Sequence, residues 1–171
     1  YTEERFVALT GIDALGDSGF DATPVLAPYI SGYFKHSSFK IGKELTKTPC
    51  EGWCGHLADD ELVDRAMRSA SAASTFADSA SFADLYNCNV DTLIGNYPDP
   101  TGDHPYNQSS ADAALLQHLA FWTGKDGERM RRIFETSLLL RDKWTNRKAY
   151  GDRSVLVACA QCDTVYNNPR D

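Results

Sequence analysis

The sequence predicts a mainly α fold: a small bundle of about six helices with a short β remnant at its front. Three observations favour this fold class. Apolar residues recur at three- and four-residue spacing in several segments, which is the periodicity of amphipathic helices. Residues that start and stop helices flank most of these segments. Only one run, residues 5–10, has the apolar, β-branched composition of a strand, and Gly11 ends it.

The chain from 12 to 56 is predicted to hold one helix between two irregular stretches. Thr23 has the character of an N-cap, and Pro24 suits the first helical position because its missing N–H is not needed there. The apolar residues of 25–34 then follow at helical spacing. Residues 36–56 lack any period and contain three glycines and one proline, so they are predicted to form an irregular loop.

Two shorter helices are predicted in the middle of the chain. Asp59-Asp60-Glu61 places negative charge at a helix start, where the helix dipole favours it. Residues 69–81 are a run rich in serine and alanine, typical of a weak helix or a flexible connector. A short helix is expected around 82–86, and residues 96–108, with three prolines and a glycine, are predicted to be a loop.

The second half of the chain has the more regular helical pattern. Ser109 with Asp112 three residues later resembles a capping box, and Gly124 is placed where a helix would stop. Three more helical segments are predicted after it, over 126–140, around 143–144 and from about 151 to 165.

Composition places the chain among ordinary globular proteins, and 171 residues suffice for one sizeable domain. No apolar run approaches the roughly 20 residues that span a bilayer, and no signal-peptide pattern opens the chain. Five cysteines are an odd number and too few for a disulfide-stapled secreted domain, which favours a reducing, intracellular compartment such as the cytoplasm. The first residue is Tyr1 rather than Met, so we expect a cut from a longer polypeptide or a processed end.

The charge of the chain is unevenly distributed. The net charge is −7, which argues against indiscriminate binding of nucleic acid over the whole surface. Residues 125–153, however, hold nine Lys and Arg against five Asp and Glu, whereas residues 1–124 hold seven against 17. One basic segment in an acidic chain is typical of a localised polyanion contact, although a solvated face of mixed charge is the simpler alternative.

This basic segment contains the candidate nucleic-acid contacts. Guanidinium and ammonium groups bind phosphate oxygens, and aromatic rings can stack on unpaired bases. The cations predicted to contact phosphates are Arg129, Arg132, Arg141, Lys143, Arg147, Lys148 and Arg153, with Trp144 and Tyr150 as weaker stacking candidates. Two structural alternatives stay open at this point, Trp144 as a core anchor and Arg141 as a capping or salt-bridge residue.

A zinc site is the less favoured alternative. Cys50, Cys54 and His56 lie within seven residues, and Cys159 with Cys162 could complete a tetrahedral site. The second cysteine pair falls in a helical pattern that favours small core residues instead. Phosphate-binding loops, nucleophile elbows and metalloprotease motifs are absent from the sequence, so it carries no strong signal of catalysis by the chain itself.

The spaced residues of the second half resemble the helical accessory domain of phage and plasmid primase-polymerases, in the group represented by the deep-sea vent phage polymerase. They are Ser110-Ala111-Asp112-(x)6-Leu119-Ala120-Phe121-Trp122-Thr123-Gly124, Met130-(x)2-Ile133-Phe134-(x)2-Ser137-Leu138, Arg141-Asp142-Lys143-Trp144 and Tyr150-Gly151. Residues 1–11 are similar to the last strand of the catalytic domain in such proteins. The resemblance therefore divides the chain into that strand, 1–11, and a helix-bundle domain, 12–171.

The resemblance implies a non-catalytic domain that binds single-stranded DNA template, and an initiating nucleotide such as ATP, to support primer synthesis. It implies no cofactor in this chain, because the carboxylates that hold Mg²⁺ or Mn²⁺ for nucleotidyl transfer would lie in an upstream primase catalytic domain. A superfamily 3 helicase often follows in such proteins. The alternatives are a protein-interaction bundle that docks on a replication partner and a small zinc module.

Overall fold

The computed structural model of the chain describes residues 40–55, 58–69 and 80–167, and its regular secondary structure within them is helical. The helices of these residues are α1 (Asp59–Arg68), α2 (Phe82–Tyr86), α3 (Val90–Asn96), α4 (Gln108–Thr123), α5 (Gly127–Phe134), α6 (Asp142–Asn146) and α7 (Lys148–Gln161). They belong to the unit Phe39–Asp171. The prediction of a mainly α bundle is confirmed. The strand predicted at 5–10, the helix predicted after Thr23 and the serine- and alanine-rich segment 70–79 lie outside the described residues.

Helix α4 is the centre of the bundle. It packs against α2, α5 and α7, and apolar residues around most of its circumference are fully buried, among them Leu115, Leu116 and Leu119. A helix that is apolar on nearly all sides is stable only when other elements enclose it. The sequence predicts one apolar face for this helix, whereas the structure buries it far more completely. None of the helices in the described ranges has the length and apolar character needed to cross a bilayer.

Both ends of α4 have clear local causes. The N-cap is Asn107, whose side-chain oxygen accepts a hydrogen bond from the N–H of Ser110 at 3.1 Å. The predicted capping box of Ser109 and Asp112 is therefore wrong, and the carboxylate of Asp112 is used elsewhere. The predicted stop at Gly124 is confirmed: its φ of 67° lies in the left-handed region, and its N–H donates to the carbonyl of Ala120.

Helices α1 and α2 confirm their sequence signals, while α3 was not predicted. Asp59, Asp60 and Glu61 do begin α1. Helix α3 is capped by the side chain of Asn89, but it buries only Leu93. One buried residue in seven leaves no apolar period in the sequence, which explains why this helix escapes prediction.

Helix α5 is shorter than the predicted helical segment 126–140. It ends at Phe134: the N–H of Glu135 still donates to the carbonyl four residues back, but those of Thr136 and Ser137 donate to carbonyls only three residues back. The hydroxyl of Ser137 donates to the carbonyl of Phe134 at 2.7 Å, and the N–H of Leu138 donates to the carbonyl of Tyr86 at 2.9 Å. A contact with α2, distant in sequence, therefore stops the helix.

Helix α7 begins at Lys148, three residues before the predicted start at Gly151. Gly151 lies inside the helix, and a Cβ built on it would come within 3.2 Å of the ring of Trp144. The glycine is thus a packing position for the indole rather than a helix boundary.

The described part of the predicted loop, residues 40–55, has no regular secondary structure and docks on the bundle. The Nε1–H of Trp53 donates to the carbonyl of Trp122 at 3.0 Å, and its indole covers Gly124. The hydroxyl oxygen of Thr46 accepts from the N–H of Gly127 at 2.9 Å. These contacts connect the loop to the junction between α4 and α5.

Candidate nucleic-acid interface

The two arginines of α5 that were predicted to contact phosphate both bind a carboxylate of α1. The Nε of Arg129 lies 2.8 Å from Oδ1 of Asp59, and the Nε of Arg132 lies 2.6 Å from Oδ2 of the same residue. Burial alone would raise the pKa of Asp59, but the hydrogen bonds and charges of Arg132 and Arg129 outweigh it and lower that pKa. Arg129 is also buried, so these residues hold α5 to α1.

Arg141 is likewise engaged by the protein itself. Its Nη2 donates to Oδ2 of Asp112, and the same oxygen accepts from the hydroxyl of Tyr150 at 2.8 Å. Asp112 is only 2% exposed. Burial raises the pKa of Asp112, and the charge of Arg141 and the hydrogen bond from Tyr150 oppose that shift. Arg141 is therefore a salt-bridge residue, as one of the two structural alternatives proposed.

Trp144 is a core residue. It is 1% exposed, and its ring stacks on that of Phe134 with 4.0 Å between ring centroids. Its Nε1–H donates to Oε1 of Glu135 at 3.3 Å. A base cannot reach a ring enclosed in this way, so the prediction that Trp144 stacks on DNA is wrong for this fold.

Lys143 and Tyr150 come together at the surface. The Nζ of Lys143 lies 4.0 Å from the centre of the Tyr150 ring and 3.1 Å from the hydroxyl of Ser109. Partial burial, together with the charges of Arg141 and Arg147, lowers the pKa of Lys143. Burial is the largest of these causes, and the charge of Asp112 opposes the shift.

The remaining predicted cations, Arg147, Lys148 and Arg153, are exposed. None of them forms an ion pair or a side-chain hydrogen bond with any residue in the described ranges. These three predicted cations are thus exposed and have no acidic partner there, while Lys143, which also forms no ion pair in these ranges, is half-buried.

Helix α7 places two of these cations, Arg153 and Lys148, in different grooves. On one face, Arg153 and Tyr150 border a groove of about 320 Å³ between α4 and α7, whose walls include Ala113, Val157 and Ala158. On another face, Lys148 borders a groove of about 680 Å³ together with Lys43, Lys47 and Arg131.

Acidic residues neutralise much of this second groove. Arg131 binds Asp152 and Glu135, and Lys47 lies 3.4 Å from Glu128. The groove that contains Tyr150 and Arg153 is therefore the better candidate for a nucleic-acid contact. Sequence reasoning missed two residues near it, Ser154 and Gln161, because neither carries charge or aromatic character.

The alternative zinc site finds no support in the described residues. No three His, Cys, Asp or Glu side chains among residues 40–55, 58–69 and 80–167 converge as metal ligands would. The five cysteines are free thiols, and His56 lies outside the described residues.

Comparison with known proteins agrees with the predicted resemblance. Residues 108–168 match the family described as the NrS-1 polymerase HBD domain. Across 153 residues, or 86% of the chain, the sequence is 31% identical to the DNA primase-polymerase of Nitratiruptor phage NrS-1. The chain spans only 20% of the length of that relative. The matched residues include α4 to α7 and every candidate contact residue. Residues 108–168 therefore belong to the NrS-1 polymerase HBD family, and the chain is a primase-polymerase-like helical domain.

Proposed function

We propose that this chain is an accessory domain of a primase-polymerase that holds single-stranded DNA template on the surface around Tyr150. The observation that carries the proposal is the groove of about 320 Å³ between α4 and α7, with an aromatic ring, a cation and apolar walls together. Lys143 at the Tyr150 ring, with the exposed Arg147 and Arg153, supplies positive charge beside it. We call Lys143, Arg147, Tyr150 and Arg153 the template surface.

Each part of the template surface suits one part of a nucleotide. Apolar walls and the edge of a half-buried tyrosine can accommodate a nucleobase, since every base has an apolar face. Exposed arginines without acidic partners can pair with phosphate oxygens and need break no existing contact. Single-stranded DNA fits this arrangement better than duplex DNA because its bases are accessible.

Salt dependence of binding tests the proposal. Each phosphate contact releases counterions, so the logarithm of the binding constant falls with that of salt by about 0.7 per contact on single strands. We expect fluorescence anisotropy with a labelled oligonucleotide to show weaker binding at higher salt. The double variant Lys143→Ala with Arg153→Ala should then lower the salt slope by about 1.4.

A charge-matched double variant controls for net charge. Lys47→Ala with Arg68→Ala removes two cations away from the template surface and should leave the slope unchanged. Absence of binding at low salt, or an equal loss in both double variants, would contradict the proposal.

The role of the domain in primer synthesis is the finer part of the proposal. The relative is a DNA primase-polymerase, which supports placing this domain beside a nucleotidyl-transfer domain that uses Mg²⁺ or Mn²⁺. ATP as the initiating nucleotide would compete for the same cations, so adding ATP to the anisotropy titration tests its binding. A helicase downstream is proposed on the resemblance alone.

A second candidate function, docking on another protein, is favoured by exposed apolar side chains. Leu138 is 69% exposed and Ile94 is 46% exposed. A variant with Leu138→Ser and Ile94→Ser should bind DNA normally but lose association with its catalytic or helicase neighbour, measured by sedimentation of the mixed proteins. Unchanged association would remove this candidate.

A further inference from the structure

The fold brings two cysteine-containing segments of the chain to the same backbone turn. The N–H of Cys50 donates to the carbonyl of Gly124 at 2.8 Å. The thiol of Cys159, in the last turn of α7, lies 3.6 Å from the carbonyl of Lys125. Since Gly124 and Lys125 are consecutive, one short turn holds both cysteines in place.

Both cysteines line one cavity. It has a volume of about 400 Å³ and lies between the 40–50 loop, the start of α5 and α7. Lys125 also borders it, with Leu45 and Leu156 among its apolar walls. The two thiols are half-buried rather than enclosed, so a small oxidant can reach them.

We propose that Cys50 and Cys159 form a reversible disulfide bond when the protein meets a peroxide, and that this bond fastens the 40–55 loop to α7. The Cys50 thiolate attacks one peroxide oxygen, the O–O bond breaks, and a sulfenic acid and hydroxide result. The thiol of Cys159 then attacks the sulfenic sulfur and releases water as the S–S bond forms. The peroxide accepts the two electrons that the sulfurs lose, and a dithiol reductant reverses the step.

The electrostatics of the cluster support this order of events. Burial, with a smaller contribution from negative charge on Cys162 and Cys50, raises the pKa of Cys159 to about 11. Burial likewise raises the pKa of Cys162. Thiolates are the nucleophiles, so these two thiols are poor at the first attack, and Cys159 serves as the resolving partner.

Peptide mapping tests the proposal on the whole chain. The reduced protein is treated with hydrogen peroxide, alkylated and digested with trypsin. Trypsin leaves Cys50 with Cys54 on the peptide 48–65, and Cys159 with Cys162 on the peptide 154–170. We expect these two peptides joined by one disulfide in the monomeric protein, a higher Tm than that of the reduced protein, and loss of both effects with dithiothreitol.

Single substitutions identify which two cysteines form the disulfide bond. Cys50→Ser and Cys159→Ser should each abolish the crosslink, whereas the matched changes Cys54→Ser and Cys162→Ser should retain it. The wild-type peptide map carries the test even where a variant folds poorly, because fragment ions identify the joined residues. A bond within either peptide, disulfide-linked dimers or oxidation that stops at sulfinic acid would overturn the proposal.

Discussion

Replacing Arg141 should destabilise the domain by leaving a buried carboxylate without its counter-charge. Asp112 has a side chain that is 3% exposed, and its Oδ2 accepts from Arg141 and Tyr150. Arg141→Met keeps much of the aliphatic stem and removes the guanidinium. The hydroxyl of Tyr150 and the more distant charge of Lys143 then remain to stabilise the charge on Asp112.

The expected cost is about 3 kcal/mol. Removing one partner of a buried ion pair costs roughly 3–5 kcal/mol because the remaining charge is uncompensated. We take the lower end because the Arg141 side chain is 22% exposed, so that water reaches this side of the pair. With a urea m-value of about 2 kcal/mol/M, the unfolding midpoint should fall by roughly 1.5 M.

The assay is urea unfolding followed by tryptophan fluorescence, with two comparison variants. Arg147→Met makes the same substitution at an exposed position and should change stability by less than about 0.5 kcal/mol. Adding Asp112→Asn to Arg141→Met removes the orphaned charge, while the amide oxygen can still accept from Tyr150. The double variant should therefore be more stable than Arg141→Met alone.

A pH dependence distinguishes this mechanism from lost packing. The folded-state pKa of Asp112 is raised above its usual value of 3.8, so the folded state holds that proton more tightly than the unfolded chain. The free energy of unfolding contributed by this group therefore falls as pH rises through the folded pKa, and Arg141→Met should steepen the fall. Equal costs for Arg141→Met and Arg147→Met, or no recovery in the double variant, would refute the reasoning.

Three further outcomes are expected from the packing of the bundle. Gly124→Ala should cost at least about 1–2 kcal/mol of stability in the same urea assay, because its φ is 67° and its Cβ would lie 2.6 Å from Trp53. Burial lowers the pKa of His118 to about 4, below its unfolded value near 6.5, so about 3 kcal/mol of stability should be lost as pH falls from 7 to 4. His118→Gln should flatten that part of the pH–stability curve; an unchanged curve would contradict the assignment. Arg129→Ala should cost more than Arg132→Ala in urea, since the Arg132 side chain is 62% exposed and such pairs contribute about 1 kcal/mol or less.

Much of the fold could be predicted because helices leave local signals. The acidic residues at 59–61 mark the observed start of α1, and Gly124 marks the observed end of α4. Both signals are local: the helix dipole favours negative charge in the first turn, and glycine readily adopts the left-handed backbone that ends a helix. The end of α5 could not be predicted, because the N–H of Leu138 bonds to the carbonyl of Tyr86, which is distant in sequence. The cap of α4 was missed because Asn107 competes with Ser109 for the same role, and local propensity ranks the two alike.

The candidate site was predictable as a segment but not residue by residue. Clustering of cations over 125–153 is a property of composition, and this segment lies within residues 108–168, which match the NrS-1 polymerase HBD domain. The same composition does not distinguish Arg141, which is bound to Asp112, from Arg153, which is exposed. Trp144 likewise has the same local context whether it packs in the core or faces solvent.

The sequence by itself determined that this chain is helical, that its positive charge lies in the second half, and which domain family that half resembles. Only the tertiary structure decided which cations meet solvent. The reason is physical: Asp59 and Asp112 neutralise arginines far along the chain, and those pairings exist only once α1 and α4 are packed beside their partners. The proposed template surface gathers cations that form no ion pair in the described part of the chain, after the fold has used other arginines to hold its helices together.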